Sequence, residues 1–464
     1  MILAVLGIAI LLLLGYFVAS LLWPSAAPRQ LVPVFAPAVG AGVCSMIFVA
    51  FRRPMFTAEA VLLFASGAAW LYRRSRRGSL ISLSAWRPPA ICLLLACALG
   101  MALSYWFIRI ERTPHGDWDA MAIWNSHARY LYRDGPSWQK GIVNTFHPDY
   151  PLLAPSLTAR LWRYMGREIP DAAGLMGLLF TVSALAILVG VLAQLRSARH
   201  AVLFGLVLLG TPFYVDYSVS GSADIPLSLF MLATIALICI QAMASREHGL
   251  LILAGFMAGC AGWTKNEGLL FISATSVALL LTSVTNPRET LRTFAAFCAG
   301  LALPLGVIIW FKLAVAPPND IFNRARQFQE ILQKLMNPER YVVTLENLAN
   351  AFWSFGDWFV NPVLLLALFV ALQGIDREMI RNRTWLQSCF ICVAVLVGYF
   401  TVYIISPMNL EWHLGSSASR LYLQLWPNLL LLCGLLANRT LNADREETPA
   451  EYARSAVPLK QGLR

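Results

Sequence analysis

Apolar runs of about 18 to 25 residues recur from the first residue to the last thirty or so, separated by short polar stretches. A run of that length crosses ~30 Å of hydrocarbon as a helix, and none shows the alternation of a barrel strand. The pattern predicts spans at 1–22, 31–51, 55–72, 88–110, 171–194, 199–217, 224–243, 249–264, 267–284, 293–315, 349–373, 388–406 and 421–437. The expected fold is therefore an all-α polytopic membrane protein with about 11–13 transmembrane helices. The first run has no basic leader and a long apolar core, so it reads as a retained helix, with "SAAP" a weak cleavage lookalike.

Two segments between spans carry a different period. In "HGDWDAMAIWNSHARYLYRDG", residues 119–134 place Ala120, Trp124, His127, Ala128 and Leu131 on one helical face, with Asn125, Arg129 and Arg133 on another. In "NDIFNRARQFQEILQKLM", Ile321, Ala325, Phe328, Leu332 and Leu335 share a stripe flanked by Arg324, Gln327 and Lys334. Both predict amphipathic helices lying in the interface, or else plain solvated linkers. The implied organisation is N-terminal transmembrane helices at 1–110, an outer loop at 111–170 and central helices at 171–315. An amphipathic segment follows at 316–348, then C-terminal helices at 349–437 and a polar tail at 438–464.

Composition agrees: 58% of the 464 residues are hydrophobic and 13% charged, against about a quarter charged in soluble proteins. The net charge of +11 is largely topological. Arg73, Arg74, Arg76, Arg77 and Arg87 crowd one loop, and taking it as cytoplasmic puts Arg196, Arg199, Arg246, Arg288, Arg292, Arg377, Arg381 and Arg383 on the same side. Arg52 and Arg53 are the main dissent. No basic segment is interleaved with stacking aromatics in a soluble module, so a nucleic-acid partner is excluded. The nine cysteines all sit in apolar runs; Cys389 and Cys392 form a CxxC with no second pair, which reads as buried hydrophobes.

This orientation gathers every unusual polar cluster on the outer face. Asp117 and Asp119 directly follow a span. Asp224 opens the helix in "SADIPLSLF", Lys265 and Glu267 occupy the turn "WTKNEGLL", and Arg420 opens the last span with His413 seven residues before it. Four of the six histidines, at 115, 127, 147 and 413, go with them. Charges so close to hydrocarbon are costly unless paired or used. One reaction needing such a set is glycosyl transfer from a polyprenyl-phosphate sugar, whose scissile bond sits at the interface. A carboxylate takes the proton of the attacking hydroxyl, and Arg or Lys meets the departing phosphate. One carboxylate suffices for inversion.

The pattern "GDWDAMAIWNSHARYLYRDG … HPDYPLLAPSLTARLW" resembles the first external loop of the C-type (GT-C) membrane glycosyltransferases. These include the protein O-mannosyltransferases, the lipid A aminoarabinose transferases and the bacterial transferases that decorate lipopolysaccharide. "SADIPLSLF", "GWTKNEGLL" and "HLGSSASRLYLQLWP" resemble that superfamily's later helix-edge motifs, so the likeness covers roughly residues 110–435. It implies a polyprenyl-phosphate sugar donor, a glycolipid, glycan or protein acceptor in the periplasm, and a multi-pass enzyme of the inner (plasma) membrane. It implies Asp119 as the catalytic base, with Asp117 the alternative. Lys265 and Arg420 would hold the donor phosphate, His147 and Tyr150 would shape the acceptor side, and Asp224 would orient the sugar or the acceptor. Glu267 and His413 join the substrate-binding set. Two departures stand: Ala120 follows Asp119 where the superfamily commonly has Glu, and about four spans precede the loop instead of one.

Each residue also has a plainer reading. Asp119 and Asp224 suit helix N-caps, and Lys265 could snorkel or pair with Glu267. Arg420 near a helix start opposes the dipole, which favours an anionic partner there. The histidines lack metal-ligand spacing; the sequence points to no certain cofactor, and need for a divalent cation is left open. Trp118, Trp124, Trp138 and Trp412 suit any interface, though sugars also stack on such rings. The alternative function is a transporter or flippase of a lipid-linked or anionic substrate, and a third is a non-catalytic assembly subunit.

Overall fold

The long apolar runs leave the backbone no partner but itself, and they fold as helices throughout. The computed structural model describes residues 2–52, 54–77, 90–242, 247–281, 287–318 and 327–438. The bundle begins with α1 (Ile2–Leu22), α2 (Val32–Phe51), α3 (Met55–Arg77) and α4 (Ile91–Arg112). Three short helices follow in the loop: α5 (Asn125–Arg133), α6 (Trp138–Ile142) and α7 (Leu153–Met165). The central set is α8 (Ala172–Leu195), α9 (Ala198–Leu209), α10 (Pro212–Tyr217), α11 (Asp224–Gln241), α12 (Gly249–Thr264), α13 (Glu267–Leu281) and α14 (Pro287–Ala314). The chain closes with α15 (Gln327–Leu335), α16 (Pro338–Trp353), α17 (Pro362–Gln373), α18 (Arg377–Ile380), α19 (Arg383–Ile405) and α20 (Leu410–Leu436).

The protein is an all-α polytopic membrane protein. Among the described residues eight helices are long and apolar enough to cross a bilayer: α1, α2, α3, α4, α8, α11, α14 and α19. Four shorter apolar helices, α9, α12, α13 and α17, accompany them. Three expected spans differ. The 199–217 run breaks into α9 and α10 because Thr211 is extended and Pro212, lacking an N–H, starts a new helix. The 349–373 run splits between α16 and α17, where Gly356 and Asp357 take positive φ of 93° and 56° and Asn361 caps the restart. The 421–437 span begins ten residues or so earlier, at Leu410, because the Asn409 side chain accepts from the Trp412 N–H at 2.9 Å and caps the helix there.

Contacts sort the loops onto two faces. On one, Ser25 Oγ donates to Glu247 at 2.6 Å, Arg196 Nη1 to Asp376 at 2.7 Å, and His200 Nε2 lies 3.0 Å from the Asn438 carbonyl. On the other, Arg52 donates to the Gly135 carbonyl and lies 5.2 Å over the Trp138 ring. The dissenting arginine thus anchors the loop between α4 and α8. Arg53, Arg87, Arg246, Ile321, Arg324, Ala325 and the 439–464 tail lie outside the described residues.

The helix expected at 119–134 is present as one π-turn (Ala120–Trp124) running into α5. Its apolar face is buried in protein: Ala120, His127, Ala128 and Leu131 are all fully covered. Asn125 departs from its expected polar face, being buried with its amide donating to the His115 carbonyl at 2.9 Å. Arg129 and Arg133 stay outward, around Glu168. In the second amphipathic segment α15 leaves Phe328 and Leu332 uncovered.

A buried ion pair ties the N-terminal helices to this loop. Arg160 of α7 donates through Nε and Nη2 to both oxygens of Glu59 in α3 at 2.6 and 3.0 Å, and through Nη2 to the Gly7 carbonyl at 3.0 Å. Glu59→Ala leaves the guanidinium without its carboxylate and is expected to cost ~3–5 kcal/mol. The double change Glu59→Ala with Arg160→Met should recover most of that loss when thermal unfolding in lipid is followed.

Candidate functional site

The loop after α4 reaches the site through two glycines. Gly116 has φ 73°, and a Cβ there would come within 2.3 Å of the Ser220 carbonyl; Gly221 has φ 76°, and its Cβ would meet Ala120 at 2.7 Å. Only glycine admits both the backbone and the approach. The Asp117 N–H then donates to the Ser220 carbonyl at 2.9 Å, laying the Asp117–Asp119 stretch against the turn that opens α11.

Five predicted residues form one chain of alternating charge. The Asp119 carboxylate lies 2.7 Å from Arg420 Nη2. Arg420 Nε and Nη2 both donate to Asp224 Oδ2, at 2.9 and 2.7 Å. Lys265 Nζ donates to Asp224 Oδ1 at 3.0 Å and sits 2.8 Å from Glu267. Gln424 adds a further donor to Asp224 Oδ1 at 2.6 Å, and its own carbonyl accepts from Tyr399 at 2.6 Å. The middle of the chain is sealed, with Asp224 at 0% exposure, while its ends at Asp119 and Glu267 are 25% and 22% exposed.

Position changes the meaning of three residues. Neither Asp119 nor Asp224 makes a side-chain capping bond, so capping does not account for them. Asp224, expected to orient the sugar or the acceptor, has both its oxygens bonded and buried between the two cations. Arg420 does not open a helix: it lies in the middle of α20, and the dipole argument for an anionic partner fails. What places a negative group beside it is the geometry of Asp119 and Asp224. Burial presses the Lys265 ammonium downward, but Asp224 and Glu267 outweigh this and hold it above the ordinary lysine range.

Asp117 is drawn elsewhere. Arg109 Nη2 donates to it at 2.8 Å while Arg109 Nε donates to Asp216 at 3.2 Å. The next residue, Tyr217, carries its ring 5.9 Å from the Arg420 guanidinium, so the two arginine clusters are neighbours. His147 and Tyr150 belong to a stack: His147 on Tyr150 at 4.7 Å, Tyr150 on Trp124 at 5.5 Å. Burial raises the Tyr150 phenol above its ordinary value, with Glu267 adding to it. His127 under this loop is pushed down to about 4 by burial and is neutral, its Nε2 2.7 Å from the Thr145 hydroxyl. His413 bonds through Nδ1 to Ser406 at 2.9 Å and packs edge-on to Tyr403.

Sequence reasoning missed Gln424, Asp149 and Asn266, and with the last two the partners of Lys312. Gln424 sits one turn past Arg420, an i, i+4 signal that an apolar stretch could have disclosed. Asp149, Asn266 and Lys312 form a second knot: Asn266 Nδ2 donates to Asp149 at 2.8 Å, and Lys312 Nζ to Asn266 Oδ1 at 2.7 Å and the Asp149 carbonyl at 2.5 Å. It pins the His147–Tyr150 turn to the α12–α13 turn. Among the described residues no group of three His, Cys, Asp or Glu gathers to hold a metal ion.

Residues 151–310, about a third of the chain, match the family model for dolichyl-phosphate-mannose-protein mannosyltransferase, a domain of the GT-C superfamily. The matched stretch contains Asp224, Lys265 and Glu267; Asp119 precedes it and Arg420 follows. No curated protein and no solved structure matches the chain. The match supports a membrane glycosyltransferase of the GT-C type.

Proposed function

We propose that this glycosyltransferase moves one sugar from a polyprenyl-phosphate-linked donor to a hydroxyl of a periplasmic glycolipid, glycan or protein, with inversion, at the outer face of the inner membrane. The observation that supports the reading most is the meeting of Asp119 with Arg420 at one end of the bundle, 2.7 Å apart though 301 positions separate them in the chain. A transporter would favour charges at the midplane and paired repeats; here Asp224, Lys265 and Glu267 sit at the ends of α11, α12 and α13, and Arg420 reaches them from within α20.

In the proposed step the acceptor oxygen attacks the anomeric carbon as the bond from that carbon to the phosphate oxygen breaks. The electron pair leaves with polyprenyl phosphate, and the hydroxyl proton passes to Asp119. Arg420 receives the developing phosphate charge, with Lys265 behind it; Asp224 holds both cations in place at no cost in reorganisation. His147 and Tyr150 border the acceptor side.

The test is release of polyprenyl phosphate from a labelled lipid-linked sugar by purified protein in lipid. Arg420→Ala should weaken donor affinity by at least about tenfold, as expected for loss of a charge-assisted partner. Unchanged donor binding in that variant would remove Arg420 from the phosphate site.

A further inference from the structure

The loop between α4 and α8 buries some of its aromatics and displays others. Trp124 and Trp138 are 2% and 1% exposed, whereas Trp118 and Phe146 are 58% and 61% exposed. The two displayed rings meet at 5.5 Å with planes 61° apart, so together they offer an open apolar corner. Trp118 stands between Asp117 and Asp119 in the chain. Phe146 is fixed from below, because the next residue, His147, takes φ 48° and joins the His147–Tyr150–Trp124 stack.

The residue before Trp118 belongs to a charged cluster. Asp117 and Asp216 are about two-fifths exposed and share Arg109, and Tyr105 donates its hydroxyl to Asp216. Flat aromatic surface beside fixed carboxylate and guanidinium groups complements a pyranose, which has an apolar C–H face and a rim of hydroxyls.

Building on the transferase reading above, we propose that Trp118 and Phe146 form an acceptor subsite for a carbohydrate. The sugar lies on the aromatic corner, its hydroxyls meet Asp117 and Arg109, and one of them points to Asp119. The acceptor is then a glycan or the glycan part of a glycolipid, not a peptide.

The test is equilibrium binding, which needs no donor. Methyl glycosides of glucose, galactose, mannose and N-acetylglucosamine, and a Ser/Thr peptide, are presented to the full chain in lipid nanodiscs and read by saturation-transfer NMR. The expected result is saturation of the C–H protons of at least one glycoside. Trp118→Ala, Trp118→Leu and Phe146→Ala should weaken that binding by about five- to tenfold, while Trp118→Phe recovers most of it. Binding unchanged in Trp118→Leu overturns the proposal, since leucine keeps a lipid anchor and removes the flat face. Absence of glycoside binding, or saturation of the peptide alone, also overturns it. A wild-type protein that binds glycosides yet never releases polyprenyl phosphate from a lipid-linked sugar sinks the transferase reading and leaves the subsite standing.

Discussion

Asp119→Asn is expected to lower sugar transfer by about a hundredfold or more, the range that loss of a positioned base produces. Asparagine keeps the volume and the hydrogen-bonding oxygen, so the fold should persist; what disappears is the group that takes the proton. Donor affinity should stay at its wild-type value or rise. In the resting protein Asp119 and Asp224 share the same Arg420 nitrogen, each at 2.7 Å. A donor phosphate arriving at Arg420 competes with Asp119, and that competition also frees the carboxylate for the acceptor hydroxyl. Neutralising Asp119 removes the competitor. Turnover and donor binding measured on the same reconstituted sample separate the two effects. Full turnover in Asp119→Asn, with turnover lost in Asp117→Asn, would move the base to the neighbour held by Arg109.

The helices were legible because a bilayer reads length and apolarity, which the sequence displays directly. Where the reading failed, local chemistry overrode the apolar run: Thr211 and Pro212 broke one span, Gly356 and Asn361 another, and Asn409 began α20 early. The candidate site was visible as types and sides, not as partners. Asp119, Asp224, Lys265, Glu267 and Arg420 each stood out as charges beside hydrocarbon, and shared sidedness was enough to expect them together. Their order in the charge chain depends on how α11, α12 and α20 pack, which no local pattern carries. Asp149 and Lys312 were overlooked as a pair for the same reason: 163 positions separate a loop aspartate from the end of α14. The role of Arg420 was expected partly for a wrong reason, since its supposed helix start lies well before it.

Asp224→Ala should be the most damaging single change to stability in the candidate site, and magnitudes distinguish why. If Asp224 merely capped α11, alanine would cost ~1 kcal/mol and leave Arg420 where it is. Its carboxylate instead accepts from Lys265, Gln424 and twice from Arg420 at complete burial. Breaking a buried ion pair from one side costs ~3–5 kcal/mol. The lower end applies here, because Arg420 keeps Asp119 and Lys265 keeps Glu267. Thermal unfolding in lipid should therefore show a loss near ~3 kcal/mol, accompanied by weaker donor binding as both cations lose their fixed positions. A loss of ~1 kcal/mol or less, with donor affinity intact, would reduce Asp224 to a helix-end residue and detach Lys265 from the donor site.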